Sequence, residues 1–430
     1  MVLARPAQPA AAPRDASRAR FAVSVLFFTN GAIFASILPR YPEIKDALDL
    51  SNTAFGAAVA AYPLGALLAG LTAGVLIRRY RSSRVAIVAT FAAAAGILLA
   101  ATSPSWAVLA TGLFIAGAMD SITDVAQNSH GLRVQKLYGR SILNSFHAVW
   151  SIGAVTGGAF GALAAELGMP LALHLGVTAI IFSLAAAGIY RLLLAGPEPH
   201  HLDTNIATDT DTAQNEKQTE GSNRRKRAGI SCKYAILAAL VIIASSGALV
   251  EDAGSSWAAI YLSGSLAASS FVAGLGFIAL QGMQFIGRLF GDRLVDRFGQ
   301  RLIARLGGIT VLIGMGTALL IPSVPSTIIG FGLAGLGVAT LMPAAMQAAD
   351  ELPGFKTGAG LTILSWLLRV GFLISPPVVG AIADSTELRY GLLVVPLAGL
   401  FVIVLAGVLT TRKRVEKVGE EGTDCGTVQP

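Results

Sequence analysis

Twelve apolar runs, each close to the roughly 20 residues needed to cross a bilayer core, dominate this chain of 430 residues. They fall at 21–39, 51–77, 84–102, 106–128, 141–165 and 170–194, then at 234–262, 271–295, 301–321, 326–348, 357–381 and 389–411. Backbone amides in hydrocarbon must pair within their own segment, so each run is expected to be a helix. Only 13% of the residues are charged, against roughly 25% in soluble domains. That is too few to clothe a soluble chain of this length, so the lipid bilayer is the first expected partner. The expected fold is all-α, integral to a membrane, with twelve transmembrane helices.

The polar remainder orients the helices. With the N-terminus in the cytoplasm, 28 of the 32 Lys and Arg residues fall on the cytoplasmic side. Arg40, Lys45 and Arg389 fall outside, and Arg369 lies within a span. This skew follows the positive-inside rule and implies an even number of spans with both termini cytoplasmic. Residues 1–20 are then a disordered cytoplasmic tail, 21–195 a first six-helix bundle, 196–233 a cytoplasmic linker, 234–411 a second bundle and 412–430 a second tail. The linker is rich in Thr, Asp, Asn and Gln, the composition of a disordered segment. Its Arg224-Arg225-Lys226-Arg227 run serves as the flank of the seventh span. The net charge of +7 is spread over such flanks, so no nucleic-acid partner is expected. Cys232 and Cys425 lie in cytoplasmic segments, so no disulfide framework is expected. The first apolar run lacks a small-residue cleavage site and reads as a span rather than a signal peptide.

The two sets of spans are related. Adding 218 to Gly56, Gly96, Gly112, Gly117 and Gly153 gives Gly274, Gly314, Gly330, Gly335 and Gly371. Arg79 maps to Arg297 and Ser51 to Ser269 in the same way. Two pseudo-symmetric bundles of six helices around a central substrate site are a known transporter plan.

Two segments then carry a resemblance. After the eighth span the chain reads Gly287-Arg288-Leu289-Phe290-Gly291-Asp292-Arg293-Leu294-Val295-Asp296-Arg297-Phe298-Gly299. This resembles the G-x-x-x-D-R-x-G loop of the major facilitator superfamily, with the first glycine one residue early. The first-half equivalent keeps Gly74 and Arg79 but has Arg78 for the acid and Arg81 for the last glycine. The resemblance implies that Asp292, Arg293, Asp296, Arg297 and Gly299, with Arg79 opposite, form a gating loop that biases which side is open. Plain positive-inside flanking is the alternative. The fifth span begins Asn144-Ser145-Phe146-His147-Ala148-Val149-Trp150-Ser151-Ile152-Gly153. Its start is similar to the fucose-permease-like branch of that superfamily and to uncharacterised permease-like relatives. Gly153, Gly157, Gly158 and Gly161 resemble an antiporter signature, but Gly158 stands where that signature has proline, and close helix packing is the expected use.

Polar residues inside the spans are the candidate site. Asp120, Asp124 and Asn128 lie at i, i+4 and i+8, on one face of the fourth helix. Charged groups in a span usually face a cavity and often serve ion or proton pathways. Asp120, Asp124, His147 and Glu251 are therefore the proton-coupling candidates. Asp124 and Asn128 have a second reading, tethering the loop through Arg133 or Arg140, and His147 a second reading as a packed polar residue. Adjacent positions on a helix point about 100° apart, so Glu251 and Asp252 are expected to face different surroundings. Arg369, near the middle of the eleventh span, needs an acid, a substrate anion or a wet cavity. Asn30, Gln127, Asn128, Trp150, Asp252, Trp257 and Arg369 complete the substrate-cavity candidates. The aromatic ones can stack on a sugar face or simply pack, and Trp366 and Tyr62 share that choice.

No G-x-x-x-x-G-K-[ST] loop occurs, so ATP-driven transport within this chain is not expected. His200-His201 is too short to argue a metal site, and no cofactor is expected. The expected function is secondary active transport, not enzymatic catalysis, by a monomer in a bacterial inner membrane. It would carry a small polar organic solute, sugar-like by the resemblance, coupled to protons. The rivals are an exporter of drugs or metabolites with the same fold, and a transporter-like receptor that moves nothing.

Overall fold

The computed structural model describes residues 14–138, 142–196, 220–352 and 359–410. Among these, twelve helices are long and apolar enough to cross a membrane. They are α1 (Asp15–Ala47), α2 (Asn52–Tyr80), α3 (Ser82–Ala101), α4 (Trp106–Tyr138), α5 (Ser145–Glu166) and α6 (Leu171–Leu192) in the first half. In the second half they are α7 (Lys233–Ser265), α8 (Ser270–Phe298), α9 (Gln300–Leu320), α10 (Val324–Asp350), α11 (Ala359–Ser385) and α12 (Leu388–Val408).

Some ends differ from the apolar runs. The fourth helix does not stop at Asn128 but continues to Tyr138. Hydropathy marks only the part in lipid, and Ser129–Tyr138 contains no proline to stop the helix. The helix that becomes α7 already starts at Glu220, inside the segment expected to be disordered, and the first helix starts at Arg14. Residues 197–219, and the tails 1–13 and 411–430, lie outside the described residues.

Prolines account for the breaks within spans. In α2 the helix is interrupted at Ala60, three residues before Pro63, and in α10 at Ala339 and Thr340, just before Pro343. Proline removes the amide that would close the preceding turn and clashes with the carbonyl four residues back. Pro376 and Pro377 lie inside α11, which continues through them.

The repeat is plainer in the backbone than in the sequence. Asn52 and Ser270, Ser82 and Gln300, and Trp106 and Val324 open helices 218 residues apart. Positive φ values recur at the same offset: 48° at Asp49 and 51° at Ala267, then 74° at Arg81 and 84° at Gly299. Matched glycines sit at matched crossings. Gly117 of α4 packs against the Tyr62 carbonyl of α2, and Gly335 of α10 against the Leu280 carbonyl of α8. A side chain at either position would push two backbones apart.

The turns after α2 and α8 carry Arg78, Arg79, Arg81, Arg293 and Arg297 and define a basic side. At the opposite side the two halves close on each other, along α2 with α11 and α5 with α8. There Tyr41 meets Phe55 edge-on with centroids 5.2 Å apart, and Phe55 meets Trp257 at 5.7 Å, an aromatic plug spanning both halves.

Candidate functional site

Below that plug, between the halves, lies a cavity of about 440 Å³. Phe34, Tyr41, Tyr62 and Asp120 line it from the first half. Glu251, Asp252, Ser255, Ser256, Arg369 and Phe372 line it from the second. The mix of aromatic walls and a few convergent polar groups is that of a small-molecule site.

Three helices position Asp120. The Trp150 indole of α5 donates to Asn30 Oδ1 of α1 at 2.8 Å. Asn30 Nδ2 then donates to Asp120 Oδ1 of α4 at 2.6 Å. An indole N–H can only donate, so it fixes which way the Asn30 amide points. Asp120 Oδ1 therefore accepts from Asn30. Tyr62 lies beside the same carboxylate. Phe34 backs the network, stacked on Trp150 with centroids 6.2 Å apart.

The second half supplies an answering cluster. Gln284 Nε2 of α8 donates to Glu251 Oε2 at 2.9 Å, and Arg288 Nη2 lies 3.7 Å from the same oxygen. The Asp252 carboxylate accepts from the Ser256 hydroxyl at 3.2 Å. Both acids line the cavity, but their surroundings differ: Glu251 reaches across to α8, while Asp252 accepts from its own helix and faces Ser375 of α11.

Further polar residues lie toward the basic side. Asp124, one turn beyond Asp120, is exposed, as are His147 and Arg369. Asp124 accepts from Asn128 Nδ2 at 2.8 Å and faces both His147 and Arg369 closely enough to feel their charges. His147 also lies edge-on to Phe27 at 5.2 Å. The Arg369 guanidinium reaches across the gap to Gly70 of α2. Asn128 holds Asp124 from its own helix, and Arg133 donates to the Ala195 carbonyl at 3.1 Å. Arg140 lies outside the described residues.

Several sequence candidates fall elsewhere. Trp257 is not a cavity residue. It is fully buried in the aromatic plug, because five residues past Asp252 on a helix is about 140° round from it. Gln127 is also fully buried, although it lies on the Asp120–Asp124 side of α4 and donates to Asp124 Oδ1 at 3.4 Å. Asn30 and Trp150 are not among the lining residues but stand behind Asp120. On the basic side, Asp292, Arg293, Asp296 and Arg297 are exposed. Arg297 lies over the Phe298 ring at 5.3 Å and Arg79 over the Tyr80 ring at 5.5 Å, the same contact 218 residues apart. Gly299 takes the left-handed turn between α8 and α9. Among the described residues no three His, Cys, Asp or Glu side chains are grouped to hold a metal ion.

Sequence reasoning passed over Phe34, Tyr41, Ser256 and Phe372 as lining residues. Aromatic and hydroxyl side chains in an apolar run carry no mark of which face they occupy. Only the helix phase set by Asp120 or Asp252 could have found them.

Known proteins agree with this architecture. An uncharacterized transporter, y4wD, of Sinorhizobium fredii is 28% identical over 390 residues, covering 90% of this chain and 97% of that protein. Membrane protein MosC of Rhizobium meliloti is 27% identical, covering 91% and 90%. In structure, the nucleoside transporter NupG superposes with a TM-score of 0.66 at 13% identity, covering 90% of this chain and 97% of that one. A D-xylose-proton symporter superposes at 0.64 with 16% identity, covering 90% and 96%. The family description of the Major Facilitator Superfamily matches residues 23–250 and 234–424. Twelve helices in two repeated halves, a central polar cavity and a match along nearly the whole chain place this protein in the Major Facilitator Superfamily.

Proposed function

We propose that the protein is a secondary active transporter that carries a small polar organic solute, sugar-like in shape, by alternating access coupled to protons. The observation that carries the reading is the central cavity, where Asp120 from one half faces Glu251 and Asp252 from the other. A carboxylate held by two uncharged donors in a membrane span has no fixed counter-charge, so its protonation follows how wet the cavity is. Cavity hydration differs between inward-open and outward-open states, and this links proton uptake to the conformational cycle. Aromatic faces on Phe34, Tyr62 and Phe372 with carboxylates at their edges suit a ring bearing hydroxyls. The xylose symporter and the nucleoside transporter, both similar in fold, handle such rings.

The basic side is the cytoplasmic side in this reading, with both termini and the segment Gly196–Lys233 there, in a bacterial plasma membrane. The conformation is then inward-open. Asp292, Arg293, Asp296 and Arg297 lie exposed because the basic-side gate they serve is apart.

Export of a metabolite is the second reading. It is favoured by a 155-residue stretch 28% identical to the enterobactin exporter EntS of Escherichia coli, covering 36% of each chain. Counterflow of a panel of sugars, polyols and nucleosides in reconstituted vesicles, with and without a pH gradient, tests the proposal. Uptake of one solute that is accelerated by the gradient is expected. No counterflow of any polar solute, with an apolar metabolite moved instead, would give the exporter the case.

A further inference from the structure

We infer that Glu166 and Asp384 are the two parts of a latch that holds the molecule shut on the side opposite the basic loops. The inference rests on the reading of the chain as an alternating-access transporter.

Glu166 ends α5, and its Oε2 accepts from the Phe271 amide at 2.8 Å, in the first turn of α8. Asp384 stands near the end of α11, and its two carboxylate oxygens accept from the Asn52 and Thr53 amides, each at 2.8 Å, in the first turn of α2. Both contacts run from one half of the molecule to the other. They are also the same contact made twice. Glu166 and Asp384 are 218 residues apart, as are Thr53 and Phe271. The pseudo-twofold relation exchanges the acid of one half with the acid of the other, and likewise the receiving helix.

The physics is that of a helix cap supplied from outside. The first amides of a helix have no acceptor within it and form its positive end. A carboxylate there makes a charge-assisted hydrogen bond. Caps of this kind ordinarily come from the residue before the helix. Here Ser51 does supply one, accepting from Ala54 N, yet the Asn52 and Thr53 amides are left to the other half. Small residues also let the helices approach closely along the two capped seams. Gly56 of α2 packs against the Pro376 carbonyl of α11, and Gly380 of α11 against the Asn52 carbonyl. In the other seam Gly274 of α8 faces Ala162 of α5. Opening this side must part both seams and return two carboxylates and three amides to water. The caps therefore stabilise only the state in which this side is shut. Both acids are partly wet, so each cap acts modestly, and the pair sets the balance together.

The test uses the full chain with Cys232 and Cys425 replaced by serine and Ser255→Cys in the cavity wall. A membrane-impermeant maleimide is applied to inside-out and to right-side-out vesicles. With both acids present, the introduced thiol is expected to react faster from the basic side. Glu166→Ala and Asp384→Ala are each expected to raise the rate from the opposite side about fivefold, and the double variant by more than either. Glu166→Gln and Asp384→Asn, which keep the shape and an acceptor oxygen, should give a smaller rise and decide the matter if the alanine variants do not fold. An unchanged opposite-side rate in the folded double variant overturns the latch. A parent thiol reached equally from both sides overturns the alternating-access reading instead, since that result involves neither acid.

Discussion

Asn30 holds Asp120 from behind. Its amide, turned by Trp150, donates to Oδ1 of the carboxylate. The pair fixes the orientation of a carboxylate that lines the cavity, and the proposed proton coupling rests on that residue.

Asp120→Asn keeps the shape and the contact with Asn30 but cannot release a proton. It is expected to abolish accumulation against a gradient while solute exchange across the membrane persists in part. Accumulation and counterflow assays on the same vesicles check this. Accumulation with an unchanged pH profile would pass the role to Glu251, which is held by Gln284 and Arg288 instead. Asp124→Asn should do less, because that residue is already exposed on the basic side.

Trp150→Phe removes the donor that orients Asn30 without emptying the space. A hydrogen bond of this kind is worth about 1 kcal/mol, so the rate of gradient-driven uptake should fall about fivefold while the folded protein keeps its melting temperature within a few degrees. Asn30→Ala should fall further, since it unpairs Asp120 itself. Equal uptake by both variants and the parent would remove the network from the mechanism.

Arg81 and Gly299 take the same left-handed turn, but only one of them is glycine. A non-glycine residue there is strained by about 1–3 kcal/mol, more than the roughly 0.5–1 kcal/mol that glycine loses in chain entropy. Arg81→Gly should therefore stabilise the protein by about 1 kcal/mol, and Gly299→Ala should destabilise it by at least as much. Thermal unfolding in detergent measures both, and the signs should be opposite.

Gly117→Ala and Gly335→Ala each place a methyl group on a backbone carbonyl of the neighbouring helix. Overpacking of this kind costs roughly 1–3 kcal/mol. Gly176→Ala is the control, because nothing lies within 4 Å of a methyl group placed there. A lowered melting temperature in the first two and not in the third is expected.

The helices and their number were legible in the sequence because hydrocarbon leaves a chain one way to satisfy its backbone. The repeat was legible in glycines, since Gly117 and Gly335 answer to the same close crossing in each half. Asp120 and Arg369 stood out because a charge in an apolar run is conspicuous. Helix rotation was not legible. Trp257 read as a cavity residue and proved to be part of the plug, and Asn30 was picked out without any sign that Trp150 and Asp120 were its partners. Glu166 and Asp384 were missed because each stands at the end of a span, where an acid is unremarkable. Their shared offset was present in the sequence, but the comparison of halves drew on glycine, arginine and serine alone. The start of the fifth span, Asn144–Gly153, pointed to a sugar-carrying branch, while the comparisons carry the superfamily.

The shared frame of the two halves sets off what they do not share. At the offset of 218, Asp120 corresponds to Val338, Glu251 to Ile33, Asp252 to Phe34 and Arg369 to Ser151. Every charge in the cavity wall thus has an uncharged counterpart across the pseudo-axis. The scaffold can be given a half-turn about that axis and look nearly the same, but the chamber cannot. The chamber wall offers one acid from the first half and two acids and an arginine from the second. Symmetry belongs to the helices of this molecule, and asymmetry to the space they enclose.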